Sequence, residues 1–221
     1  KVKRLRGGEQ GVGKLVANIV TRDLLGNPVR LRQLASENRA VVVAMTSTSC
    51  PVSEKYLPTL QRLADRYADQ KVEFVLVDSV PSDPMPSMLR AQKGLGSTVS
   101  YVADPTGAIA SAIGANSTTD ALLIDHDGTI AYHGAVDDQH RFDFSYPAAQ
   151  HKFLVDAIEA LLADKSPNIE ATTAPGTALK QKPQTGKTTG VTYHNRISRL
   201  MNRHCVKCHR DGGVGPFALD S

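Results

Sequence analysis

An α/β fold built around a mixed or parallel sheet is predicted by three features of the sequence. Short β-branched runs alternate with stretches of helical periodicity through the first 164 residues. Two of the apolar runs are joined by His126, Asp127 and Gly128, a turn with hairpin chemistry. The composition, 41% hydrophobic and 22% charged, is that of a globular chain able to bury a core. In chain order, strands are expected at residues 17–21, 40–46, 72–77, 121–125 and 129–133, and helices near 53–68, 86–93, 107–113 and 148–163. Run 40–46 is the most apolar, with Ala40 to Met45 unbroken. Six residues are far short of the roughly 20 that cross a bilayer, so the chain carries no transmembrane segment of its own.

Charge is unevenly placed. Residues 1–164 carry 17 Lys and Arg against 19 Asp and Glu, whereas residues 165–221 carry 9 against 3. The net charge of +4 therefore comes from the tail. Tyr193 and Phe217 are the tail's only aromatics and it has no nucleic-acid motif, so an acidic protein partner fits it better than nucleic acid. Between the two regions, residues 165–190 hold 3 Pro, 3 Gly, 6 Thr and 4 Lys. This texture reads as a linker that reaches about 30 Å if flexible, or that lies pinned along the first domain. The resulting plan is a domain at 1–164, a linker at 165–190 and a short segment at 191–221. In that last segment Thr192 can cap a short helix carrying Ile197, Leu200 and Met201 on one stripe.

The chain has three cysteines, too few for a disulfide scaffold: Cys50 alone, and the pair Cys205 and Cys208. The pair is followed by His209, giving C-x-x-C-H, the spacing for covalent attachment of one haem c. Two thiols three positions apart can bond the two vinyl groups on one porphyrin edge, and His209 can then reach the iron as proximal ligand. A zinc knuckle formed with His204 or His194 is one alternative, and a simple redox dithiol another. Cys50 follows a strand and precedes a helix, where N–H groups and the helix dipole favour a thiolate. It reads either as a vestigial thiol on a scaffold or as a thiol with redox work, a peroxide-sensing sulfenate being the form of such work. Turn chemistry accounts for Asp137 with Asp138 and for the Asp125, His126, Asp127 run. His133, His140 and His151 lack ligand spacing and are expected at the surface.

Two resemblances sharpen these expectations. Residues 14–164 resemble the thioredoxin superfamily, specifically redoxin domains of the peroxiredoxin-like branch, through "TSTSCPVSEKYLPTLQRLADRY", "ALLIDHDGTIAYHGAVDD" and "ATTAPG". Pro58, eight positions after Cys50, matches the helix-kinking proline of that fold. The departures bear on activity. The resolving cysteine of a C-x-x-C motif is Ser53 here. The proline and arginine of peroxiredoxins are replaced by Val43 and, near the later strand, about Thr119, which also stands where thioredoxins have a cis-proline. The threonine three positions before the reactive cysteine is Ser47, and a cysteine that related proteins often carry after "APG" is Thr177. Loss of the arginine removes preorganised positive charge, which points to an electron carrier rather than a peroxidase.

The run "VTYHNRISRLMNRHCVKCHRDGGVGPFAL" resembles the opening of bacterial cytochrome c domains found joined to redoxin domains. That resemblance implies one covalent haem c held by Cys205, Cys208 and His209; the family's distal methionine usually lies well downstream, so the sixth ligand is either such a methionine in a longer chain or a histidine or methionine of another segment or subunit. His194 is a conceivable distal ligand, while Met201 and His204 lie too close to the motif to wrap round. It also implies a periplasmic or otherwise extracytoplasmic protein whose signal peptide precedes Lys1. The expected function is electron transfer or redox coupling with protein partners, such as subunits of a membrane-associated electron-transfer complex. The alternatives are a monothiol enzyme or peroxide sensor using Cys50, and a redoxin scaffold that docks a larger complex.

Overall fold

A computed structural model describes residues 2–179, 205–206 and 209. The chain divides into two compact units, residues 1–184 and 185–221. The first unit begins with a two-residue strand β1 (Arg4–Leu5) and a small hairpin, β2 (Val20–Arg22) with β3 (Pro28–Arg30). These lead into α1 (Leu31–Glu37), β4 (Ala40–Thr46) and α2 (Pro51–Tyr67). Next come β5 (Val72–Asp78), α3 (Met85–Lys93), β6 (Val99–Ala103), α4 (Ala108–Ile113), β7 (Asp120–Asp125) and β8 (Ile130–Ala135). Helix α5 (Phe153–Leu162) and the short strand β9 (Ala171–Thr172) close the unit.

The main sheet has the order β1-β9-β8-β7-β4-β5-β6. Strands β4, β5 and β6 run parallel, and β7 is antiparallel to both β4 and β8, so the sheet is mixed. All seven residues of β4 are buried, as expected of a central strand covered on both faces. Its period of two divides them: Ala40, Val42 and Ala44 face one cluster, Val41, Val43 and Met45 the other. On the first face lie α2, α3 and α5, through Tyr56, Leu60, Met88, Leu154 and Ile158. Helices α1 and α4 cover the second through Leu31, Ala35, Ile109 and Ile113.

Helix α2 starts with Pro51 at its first turn, where a missing N–H costs nothing. It continues through Pro58, which cannot donate to the helix ladder and sits on the exposed side. At the hairpin between β7 and β8, Gly128 adopts φ 77° and its N–H bonds Asp125 O at 2.9 Å, while Asp125 Oδ1 takes the Thr129 N–H at 2.7 Å. The left-handed φ explains the glycine there.

Several elements differ from the sequence expectations. The strand expected at 17–21 lies at 20–22, in a separate hairpin, and α5 starts at Phe153 rather than 148. Helix α1 and strand β6 are not signalled by periodicity. The stretch read as a linker is pinned in its first part. Ala171 and Thr172 join the sheet between β8 and β1, and Ser117 bridges Ala178. The expected helix after Thr192, with His194, Met201 and His204, lies outside the described residues, as does Cys208.

Candidate active site

Cys50 sits at the junction where β4 ends and α2 begins, with extended backbone (φ −97°, ψ 113°). Its neighbours Ser49 and Pro51 are exposed while Cys50 itself is 2% exposed, so the thiol lies just beneath the surface. The loop that carries it is held by Asp83, whose Oδ2 accepts hydrogen bonds from Ser47 Oγ at 2.6 Å, Thr48 N at 2.7 Å and Ser49 N at 3.3 Å.

Facing the thiol are two chain segments paired with each other. Thr118 N donates to Thr177 O at 2.9 Å, Thr177 N donates to Thr118 Oγ1 at 3.0 Å, and Leu179 N donates to Asn116 O at 2.9 Å. Ser53, one turn into α2, donates its hydroxyl proton to Thr118 O at 2.8 Å. The two segments approach closely at Gly176, where a Cβ would overlap Ser117 Oγ and crowd the Thr118 and Thr119 hydroxyls. The glycine of "APG" is therefore required by proximity rather than by its torsions.

This arrangement sets the acidity of the thiol. Burial alone would push it up, but hydrogen bonding from Thr118, Thr177 and Ser53, including the Ser53 backbone N–H, outweighs burial and lowers the pKa from 9.0 to about 6. The three groups are also joined to one another, Ser53 Oγ donating to Thr118 O and Thr118 Oγ1 accepting from Thr177 N, so they form one hydrogen-bonded cluster beside the thiol. At neutral pH the thiolate predominates. The site needs no arginine to reach that state.

Two positions singled out as departures from family patterns, Ser53 and Thr177, come together with Thr118 around one sulfur. Ser53 and Thr177 occupy the places of lost thiols, and Thr118 is next to Thr119. Thr119 is buried and its hydroxyl lies 3.4 Å from Ser117 Oγ, turned into the hydroxyl cluster. All peptide bonds of the described residues are trans. Sequence reasoning does not identify Thr118 or Asp83, because neither falls at a motif position.

In the second unit, Cys205 and Val206 form a turn, and His209 N donates to Cys205 O at 2.9 Å. Cys205 is a half-buried free thiol. The clusters set aside as turn chemistry have structural duties. Asp137 Oδ1 accepts from Tyr56 Oη at 2.7 Å and Gln139 N at 2.8 Å, and Asp138 Oδ1 accepts from Gln150 N and His151 N.

His133 corrects the expectation of a surface group. It is 2% exposed on β8, with Nδ1 2.8 Å from Gln10 O and Nε2 3.6 Å from Asp120 Oδ2. Burial opposes its charge, yet Asp120 and Gln10 O override that and raise its pKa. His140, half-buried, packs edge-on against Tyr56, so it too is more than a surface group, whereas His151 is exposed. No group of three His, Cys, Asp or Glu side chains suited to a metal ion occurs among the described residues.

A parallel-cored mixed sheet with a low-pKa cysteine at the N-terminus of a helix defines a thioredoxin-like thiol protein. The Redoxin family model matches residues 12–149, and the chain belongs to that family. It is 30% identical over 125 residues to the thiol-disulfide oxidoreductase ResA of Halalkalibacterium halodurans, covering 57% of this chain and 66%, just under two thirds, of that relative. A structure of an uncharacterized conserved protein from Geobacillus kaustophilus is 27% identical with a TM-score of 0.69, over 83% of this chain and 98% of that one. A putative thioredoxin from Neisseria meningitidis shares the fold at 22% identity and a TM-score of 0.50, over 59% and 83% of the two chains.

Proposed function

We propose that this chain is an extracytoplasmic redox protein whose redoxin domain works through the single thiol of Cys50. The observation that carries the reading is the hydroxyl cradle of Thr118 and Thr177, which lowers that thiol to about 6. Thiolate Cys50 would attack a disulfide R–S–S–R′, forming a Cys50–S–S–R mixed disulfide and releasing R′–S⁻. Ser53 stands where a resolving thiol would be, so a second, external thiolate must attack the mixed disulfide to release Cys50 and carry R away as a new disulfide. This chemistry is in keeping with the thiol-disulfide oxidoreductase among its relatives. Peroxide is an alternative oxidant, converting the thiolate and a proton to Cys50–SOH with release of an alcohol or water.

A specific observation favours a second function in the tail. C-x-x-C-H with a turn closed from His209 N to Cys205 O suits one haem c, with Cys205 and Cys208 as thioether tethers and His209 as axial ligand. Such a group would supply one-electron transfer. Covalent haem attachment also supports an extracytoplasmic location, and the basic tail suits an acidic redox partner. Peptide-resolved alkylation of the full chain against pH tests the thiol: Cys50 should label in the folded protein with a midpoint near 6, and labelling only on unfolding removes the reading. Visible absorbance with intact mass tests the haem. Colourless protein of unmodified mass, produced in a host able to attach haem c, overturns that part alone.

A further inference from the structure

The loop that presents Cys50 is tied to a pair of buried carboxyl groups rather than to the sheet alone. Asp78 ends β5 with 0% exposure, and Asp83 lies five residues later at 7% exposure. Asp83 Oδ2 gathers the Ser47 hydroxyl and the Thr48 and Ser49 N–H groups. Its other oxygen, Oδ1, is buried with no N–H or O–H facing it. Asp78 accepts from Val80 N at 3.1 Å on Oδ1 and from Tyr101 Oη at 3.1 Å on Oδ2. Two ionised carboxylates side by side in such a place would repel. One proton between them satisfies the orphaned oxygen and removes the repulsion.

We propose that Asp78 and Asp83 share one proton and act as the positioning pair for the Ser47–Ser49 loop, holding Cys50 in register with its hydroxyl cradle. Asp78 carries the proton and donates to Asp83, and Asp83, ionised, anchors the loop. The inference rests on the reading of Cys50 as a reactive thiol.

Acidity runs in the required directions. Burial first, and Asp83 next to it, push Asp78 up to about 7. Burial would also raise Asp83, but the bonds from Ser47, Ser49 and Thr48, and from Asp78, hold it below its ordinary value. The other ionisable groups facing the pair are Tyr101 from β6, whose phenol stays protonated, and Asp104, which is occupied by Ser79 Oγ at 2.7 Å and by the N–H groups of Ala108, Ile109 and Ala110. Among the described residues neither carboxyl forms a salt bridge, and a shared proton relieves the pair. Above neutral pH the proton leaves to solvent and the anchor weakens.

The test is the rate of Cys50 alkylation by iodoacetamide in the folded full chain, followed by peptide mass from pH 4.5 to 9. The natural sequence should show two inflections, one near 6 from the thiol and one near 7 from Asp78. Asp78→Asn donates a permanent N–H to Asp83 and should erase the upper inflection. Asp83→Ala should raise the thiol midpoint and slow labelling at pH 6 about tenfold, the effect of losing a bond to a charged group. Asp83→Asn, which keeps an acceptor for the loop, should recover most of that loss and serves if the alanine variant does not fold. A Cys50 midpoint near 6 that none of the three variants moves overturns the positioning pair and leaves the thiol reading standing. A Cys50 that labels only after unfolding overturns both.

Discussion

Cys50 owes its acidity to neighbouring hydroxyl groups, two of which, Ser53 and Thr177, stand where related proteins carry a thiol. A thiolate that depends on two hydroxyl donors from separate segments responds to the loss of either. Thr177→Val and Thr118→Val preserve shape while removing a donor, so each should move the Cys50 midpoint up from about 6 and slow alkylation at pH 6. A factor of about 7 to 80 is expected from the loss of one bond to a charged acceptor worth about 1.5–3 kcal/mol. Stopped alkylation at pH 6 reads this directly; Ser53→Ala should have the smaller effect, since its hydroxyl serves Thr118 O. Thr177→Cys would place a second thiol against the first, and reversible loss of both free thiols under mild oxidant, with no dimer formed, would report a disulfide between Cys50 and the introduced thiol.

At the scale of elements, the central strands are legible because their burial writes itself into composition: "AVVVAMT" is β4, residue for residue. The hairpin at Gly128 and the long helix α2 are legible for similar local reasons. What is not legible depends on contacts distant in sequence. Residues 171–179 have a linker's composition, yet Tyr132 Oη lies 3.1 Å from Thr172 Oγ1, Ala135 N bonds the same oxygen at 2.9 Å, and Thr177 reaches the thiol. No pattern within those nine residues encodes a partner 37 to 127 positions away. The burial of His133 is hidden for the same reason, its partners Gln10 and Asp120 lying on other elements. The close approaches at Gly176, within the 171–179 strap, and at Gly134 on β8, carry a prediction. At Gly176 an added Cβ meets the Ser117, Thr118 and Thr119 hydroxyls, and at Gly134 it meets Thr172. Gly176→Ala should cost about 1–3 kcal/mol in urea unfolding and raise the Cys50 midpoint together with it. Leu123→Ala, fully buried on β7, should cost about 2–5 kcal/mol and leave that midpoint in place. A midpoint unmoved in Gly176→Ala would show that the strap does not set the thiol's acidity.

For the whole molecule, the buried ionisable groups oppose one another as pH changes. Asp78 has a folded pKa of about 7, above its ordinary 3.8. The native state therefore binds more protons than the unfolded chain in that window, and the contribution is complete below about 4 and lost as pH rises through about 7. His133, also raised, stabilises below its ordinary 6.5 and gives that up as pH climbs through its higher folded value. Cys50 has the reverse sign. Its folded value of about 6 lies below its ordinary 9.0, so its contribution is full above 9, builds between 6 and 9, and is absent below 6. Subtracting the urea-unfolding free energy of Cys50→Ser from that of the natural sequence isolates this term, since both chains keep Asp78 and His133. The difference should be flat from pH 4.5 to 6 and then grow in favour of the natural sequence up to pH 9, by on the order of a few kcal/mol. A difference flat across the whole range means that folding leaves the thiol's acidity unchanged, and with it falls the monothiol chemistry assigned to this domain.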